Sequence, residues 1–236
     1  MKTIRFWLLF SFAQLSILSG KSQSLDYLEQ TQNNNGLKIL ALGDSYTYGE
    51  SICEDCRFAN QLRDSLEHRL KTNIELEVIA KSGWKTSDLK YAIAKKKPKK
   101  DWNLVTLLIG VNNQYRHLSF DIFEKEFPEL LLKAKRLANG SWHNVIVISI
   151  PDYAYTPFSG GGSKISEDIK KYNDFIQTYC AKHNVSYVYI TDITQNGLAQ
   201  PELIAKDGLH LSTLANSKFT ERLLPIALDK LQQNTK

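Results

Sequence analysis

Ser45 stands in Gly43-Asp44-Ser45, directly after the apolar run from Leu37 to Leu42, and near the other end Asp207-Gly208-Leu209-His210 places an aspartate three residues before a histidine. A serine hydroxyl becomes a nucleophile when a base takes its proton, and an aspartate beside that base can hold its ring. Cleavage of an ester also needs donors for the oxyanion that forms on the carbonyl oxygen. Gly83, in Lys81-Ser82-Gly83-Trp84, lets a substrate approach a backbone N–H because it lacks a side chain. Asn112, in Gly110-Val111-Asn112-Asn113, carries an amide donor, and the N–H of Ser45 is a third. Taken singly, each residue has a plain structural role: Ser45 or Asp207 as a helix cap, Gly83 in a turn, Asn112 in an Asx turn. The chemical reading rests on their joint occurrence.

These residues need a scaffold that brings distant segments to one place. Short β-rich apolar runs at 37–42, 74–80, 104–109, 145–150 and 186–190 alternate with amphipathic stretches at 57–70, 86–94, 120–138, 164–182 and 213–232. In 164–182, Ile165, Ile169, Tyr172, Phe175, Ile176 and Tyr179 recur at steps of mostly three and four, the mark of one buried helix face. Such alternation predicts βαβ units and a parallel sheet covered on both faces. Ligands of open parallel sheets bind beyond the carboxyl ends of the strands. The blocks at Ser45, Gly83 and Asn112 follow the first three predicted strands, and Asp207 to His210 precedes the last predicted helix.

Four blocks in this order and spacing resemble the SGNH hydrolases, also called the GDSL esterase/lipase family, over about Leu37 to Leu231. The resemblance implies a three-layer α/β/α sandwich with a five-stranded parallel sheet, flavodoxin-like in layout. It implies Ser45 as nucleophile, His210 as general base and then acid, and Asp207 as its orienter. The oxyanion hole would comprise Ser45 N–H, Gly83 N–H and the Asn112 amide, and no metal or organic cofactor is called for. Two positions depart from the family pattern: Tyr46 replaces the leucine of the family name, and Asn113 stands where aspartate is usual. Neither is a reacting group, so the departures bear on substrate preference. The stretch Ile150-Pro151-Asp152-Tyr153-Ala154-Tyr155-Thr156-Pro157-Phe158 resembles a segment of one bacterial branch of the family. Tyr153, Tyr155 and Phe158 are expected either to wall the substrate pocket or to pack under the loop at Gly160-Gly161-Gly162.

The remaining signals are weaker. His117, shortly after Asn112, is a further residue to watch near the site; His68, His143 and His183 are expected at the surface, and Arg116 is expected to pair with a surface carboxylate. Cys53-Glu54-Asp55-Cys56 has no second cysteine pair for zinc, and a local disulfide is expected, with Cys180 a buried thiol. Residues 1–24 read as a signal peptide: Lys2 and Arg5 precede the largely apolar stretch from Phe6 to Leu18, too short to span a bilayer, and Ser19-Gly20-Lys21-Ser22 follows. Residues 25–36 read as a linker and 37–236 as one domain. Losing Lys2, Arg5 and Lys21 lowers the formal charge of +5 by three, to +2, which is no nucleic-acid footprint. The basic run from Lys95 to Lys100 reads as a solvated connection.

The expected function is an extracytoplasmic (secreted or periplasmic) serine esterase acting on small-acyl esters of glycans or small molecules, with no stable membrane span. A lipase or lysophospholipase acting on longer acyl chains is the alternative. A non-catalytic glycan-binding module is disfavoured because Ser45, Asp207 and His210 are all present.

Overall fold

The structure is a computed structural model that describes residues 36–233; the expected signal peptide, and the linker up to residue 35, lie outside the described residues. Five parallel strands are formed by Leu37–Gly43 (β1), Ile74–Ala80 (β2), Leu104–Leu108 (β3), Val145–Ile148 (β4) and Ser186–Val188 (β5). Their order is β2-β1-β3-β4-β5. β3 and β4 are buried at every position, as strands covered on both faces must be.

Five longer helices cover the sheet: Phe58–Leu70 (here α2), Thr86–Lys96 (α3), Phe120–Leu137 (α5), Ser163–Lys182 (α6) and Thr213–Gln233 (α8). α2 and α8 pack together on one face, and α3, α5 and α6 neighbour one another on the other, completing three layers. Asn216 and Thr220 of α8 bind the N–H and carbonyl of Phe58, which fixes the start of α2. Between α5 and α6, Phe123 lies 4.5 Å from Tyr172 and 5.9 Å from Phe175, centroid to centroid, so the apolar stripes interlock through rings. The α/β/α sandwich with a five-stranded parallel sheet, in flavodoxin-like strand order, agrees with the expectation from sequence.

β4 and β5 end two residues earlier than their apolar runs. The chain leaves the ladder because side chains take over its backbone groups: Asn173 accepts from Ile150 N–H, and Ser149 Oγ accepts from Ile190 N–H, each at 2.8 Å. Three short helices also escape the periodicity: Ser45–Tyr48 (α1), Val111–Tyr115 (α4) and Thr191–Thr194 (α7). Each follows a strand exit and is too short to carry an amphipathic pattern. His143 and His183, expected at the surface, are half-buried. The His143 carbonyl accepts from the Lys230 ammonium at 2.6 Å, and the His183 ring lies 4.6 Å from Tyr179. The run from Lys95 to Lys100 lies at the carboxyl end of α3, where Lys96 pairs with Glu77 at 2.7 Å.

Candidate active site

β1 delivers Ser45 to the first position of α1. Gly43 is required just before it, because a Cβ there would collide with the Thr47 side chain and the carbonyl of Leu108 on β3. Asp44 caps α1 by accepting from Tyr46 N–H at 3.1 Å, and Ser45 itself is buried. As the first helical residue, Ser45 keeps an N–H that no helix carbonyl can reach. Asp44 is wholly buried, so desolvation pushes its carboxyl up to about 7 against the pull of the Tyr46 N–H.

The Asp207–His210 loop brings an imidazole and a carboxylate together. His210 Nδ1 lies 2.6 Å from Asp207 Oδ2, while Asp207 Oδ1 accepts from the N–H groups of Leu209 and His210, both at 2.9 Å. Burial alone would raise the Asp207 carboxyl, but these bonds and one from Ser51 Oγ at 2.5 Å hold it well below the ordinary carboxylate range. An ionised carboxylate only accepts, so Nδ1 carries the ring proton and Nε2 is left as the acceptor.

Two contacts join this loop to the first block. The Tyr46 ring lies 5.4 Å from the His210 ring, centroid to centroid, and Ser51, in the loop that follows α1, reaches Asp207. Tyr46, the departure from leucine, thus packs on the His210 ring; at the same time it is anchored in the core.

The second and third blocks are also joined. Asn112 Nδ2 donates to the Trp84 carbonyl at 3.0 Å, which orients the amide and leaves its second N–H available. Asn113 accepts from Thr86 N–H at 3.0 Å and donates to Thr86 Oγ1 at 2.7 Å. An aspartate could not make that donation, and Thr86 Oγ1 is left to donate to Glu126 at 2.5 Å. The amide in place of the usual acid is therefore satisfied by its own neighbours. Gly83 has φ +78°, a conformation that glycine adopts without penalty.

Arg116 departs from its expected role. Its guanidinium forms no ion pair among the described residues, and Nη2 stands 3.4 Å from where a Cβ on Gly83 would lie. The N–H of Arg116 caps α4 on the Asn112 carbonyl at 3.2 Å, so the helix turn that places the amide also places the cation beside Gly83.

Among the expected pocket residues, Tyr153 is buried and donates to Gln114 Oε1 at 2.8 Å, and its ring meets Tyr115 edge-on at 5.8 Å. Tyr115 in turn lies 6.2 Å from Phe158, whose N–H donates to the Gly208 carbonyl at 2.9 Å. This seats an exposed aromatic pair beside the Asp207–His210 loop. Tyr155 is partly exposed, and neither its ring nor that of His117 makes a ring contact or side-chain hydrogen bond among the described residues. His117 is exposed at φ +52°, just past α4. Gln114, Tyr115 and Ser51 carried no sequence signal, since the short helix that places the first two has no period to read and Ser51 lies in a loop.

Cys53 and Cys56 are joined in a disulfide with Cα atoms 5.1 Å apart, and Cys180 is a buried thiol pushed up to about 12 by desolvation. No group of three or more His, Cys, Asp or Glu converges as metal ligands would among the described residues. A hollow of about 650 Å³ beside β5, lined by Asn173, Asp174, Gln177, Tyr187 and Tyr189, holds none of the four blocks, so concavity alone does not locate the chemistry.

A model of the GDSL-like lipase/acylhydrolase family matches residues 41–217, which span all four blocks. No curated protein sequence matches. Solved structures with the same fold include a lipolytic G-D-S-L family member from Veillonella parvula, 16% identical, with a TM-score of 0.62 over 80% of this chain and 97% of that one. An acetylxylan esterase from Geobacillus stearothermophilus is 19% identical, with a TM-score of 0.62 over 81% of this chain and 94% of its own. A lipase/acylhydrolase from Enterococcus faecalis is 17% identical, with a TM-score of 0.60 over 82% and 96%. With the Gly-Asp-Ser block, its partners at the strand exits and this fold together, the chain belongs to the GDSL-like lipase/acylhydrolase family.

Proposed function

We propose that the protein is an exported serine esterase that cleaves small-acyl esters, acetyl esters above all, of glycans or small molecules. The observation that carries this reading is the Asp207–His210 pair at 2.6 Å, held against the Ser45 helix by Tyr46 and Ser51.

In the reaction, His210 Nε2 takes the proton of Ser45 Oγ as the oxygen attacks the carbonyl carbon. Asp207, held ionised, stabilises the imidazolium that results. The carbonyl oxygen becomes an oxyanion, received by the N–H groups of Ser45 and Gly83 and the free N–H of Asn112. Collapse breaks the bond to the alcohol, which leaves with the proton from His210. Water then loses a proton to His210, attacks the acyl carbon and releases the acid, and the proton returns to Ser45.

The exposed rings of Tyr115 and Phe158 beside the Asp207–His210 loop offer flat apolar faces on which a sugar ring can stack, which favours a glycan as the alcohol part. Two solved relatives of this fold are named for acetylxylan, which fits the same substrate class. Export is supported by the leader read from residues 1–24 and by the disulfide, which suits an oxidising compartment. No helix among the described residues is long and apolar enough to cross a membrane.

The test is to treat the mature chain and Ser45→Ala with a serine-directed fluorophosphonate and to assay esters graded by acyl length. Labelling and acetyl-ester turnover by the wild type alone are expected. A wild type that neither labels nor turns over any ester refutes the serine mechanism, and long-chain esters cleaved as well as acetyl esters refute the small-acyl preference.

A further inference from the structure

We propose that Ser51 is a positioning residue for this reaction, holding Asp207 through the same carboxylate oxygen that receives His210; the proposal rests on the roles given above to Ser45, Asp207 and His210. Ser51 Oγ donates to Asp207 Oδ2 at 2.5 Å, and His210 Nδ1 meets that oxygen at 2.6 Å. The other bonds to the carboxylate come from Leu209 and His210, neighbours in its own loop. They move with the loop and cannot fix it to the rest of the molecule. Among the described residues, Ser51 is the tie to Asp207 from outside that loop, across 156 positions of sequence.

The tie leads directly to Ser45. The Ser45 carbonyl accepts from Gly49 N–H at 2.9 Å and Glu50 N–H at 3.1 Å, so Ser51 is the next residue in a turn built on the serine itself. One short segment therefore sets the distance between the nucleophile and the acid that orients its base.

The backbone of Ser51 points the same way. Its φ is +67°, a left-handed conformation that non-glycine residues seldom adopt. The five other non-glycine residues with positive φ lie at the carboxyl-terminal cap of a helix or one residue past it, where that conformation ends the helix. Ser51 lies two residues past the cap of α1, where helix termination does not call for it. A left-handed conformation that no helix cap calls for is here carried by a residue whose side chain bonds Asp207. The Cys53–Cys56 disulfide closes the chain immediately after, and Ile52 N–H binds the Gly49 carbonyl at 3.4 Å, so the segment is fastened on both sides of Ser51. The bridge thereby gains a purpose that zinc or redox chemistry does not supply.

The experiment compares wild type, Ser51→Ala, Ser51→Gly and the Cys53→Ser/Cys56→Ser double variant. Steady-state kinetics on an acetyl ester and the proton resonance of His210 Nδ1–H in the substrate-free protein are both recorded. Ser51→Ala is expected to lose about tenfold in kcat with KM within about twofold, because a charge-assisted bond to the orienting group is lost and substrate contacts are not. Ser51→Gly relieves the backbone strain and should unfold at a higher temperature than Ser51→Ala, with the same loss in kcat. The Nδ1–H resonance should be sharp in the wild type and broadened by solvent exchange in both serine variants. The double variant should lose about threefold in kcat, consistent with a segment loosened but still bonded. The proposal is overturned if Ser51→Gly recovers kcat, which would make the role one of backbone shape, or if the resonance and kcat are unchanged in Ser51→Ala. Unchanged kcat in the double variant overturns the part assigned to the disulfide. A wild type that is inactive on every ester refutes the serine mechanism instead, and the resonance still decides whether Ser51 holds the Asp207–His210 pair.

Discussion

Asp44→Asn should change how stability depends on pH, in a direction opposite to that expected for a carboxylate held low by partners, such as Asp207. Asp44 is wholly buried; Oδ1 accepts from Tyr46 N–H, and Oδ2 has no partner among the described residues. Desolvation is the dominant influence and pushes the carboxyl from its ordinary 3.8 up to about 7. Between those values the folded protein holds a proton that the unfolded chain has released. Stability contributed by that proton is complete below about pH 4, declines as pH rises toward 7, and is gone above it. A rise of about three pKa units corresponds to about 4 kcal/mol across the window, at about 1.4 kcal/mol per pH unit. Asparagine is neutral at every pH and keeps the bond to Tyr46, while its amide N–H groups lack a buried acceptor, at a constant cost of about 1–3 kcal/mol. Urea unfolding of both proteins from pH 4 to 8 provides the test. The stability of Asp44→Asn relative to wild type should climb by about 4 kcal/mol between pH 4 and 7 and then level off. Carboxylates held low by partners, such as Asp207 and Asp192, titrate in both proteins and cancel in the difference. A difference that stays flat across the range would refute the claim that burial governs Asp44.

Two further outcomes follow from the site. Asn112→Ala removes one of the proposed oxyanion donors and should lower kcat on an acetyl ester by about 10²–10³-fold with little change in KM, as steady-state kinetics would show; because the Trp84 carbonyl also loses its donor, a small fall in melting temperature should accompany it. Arg116→Gln removes the cation beside Gly83, so KM should rise by about tenfold for acetylated substrates bearing a carboxylate and stay within about twofold for neutral ones, measured on a matched pair of sugars.

Much of the fold was legible because it is written in local pattern. The run from Leu37 to Leu42 and the stripe of Ile169, Tyr172, Ile176 and Cys180 bury one face or both, and burial on that scale leaves a period in the sequence. The ends of β4 and β5 were not legible, since they depend on Asn173 and Ser149 accepting backbone N–H groups from segments distant in the chain. The short helices α1, α4 and α7 were missed for want of length, and the first two are what present Ser45 and Asn112.

The four blocks stood out because each combines a residue type with a strand exit, whereas the residues around them did not. Ser51 is an unremarked loop serine until Asp207 arrives from across the chain, and Arg116 reads as any surface arginine until α4 turns it toward Gly83. Sequence by itself determined the alternation of strands and helices, the order of the blocks and the residues able to do the chemistry, because hydrophobic period and side-chain chemistry are local properties. Only the tertiary structure decided that Ser51 shares an oxygen of Asp207 with His210, that Asn112 hangs from Trp84, and that Tyr115 and Phe158 meet, because hydrogen bonds and ring contacts depend on distances that no spacing along the chain encodes.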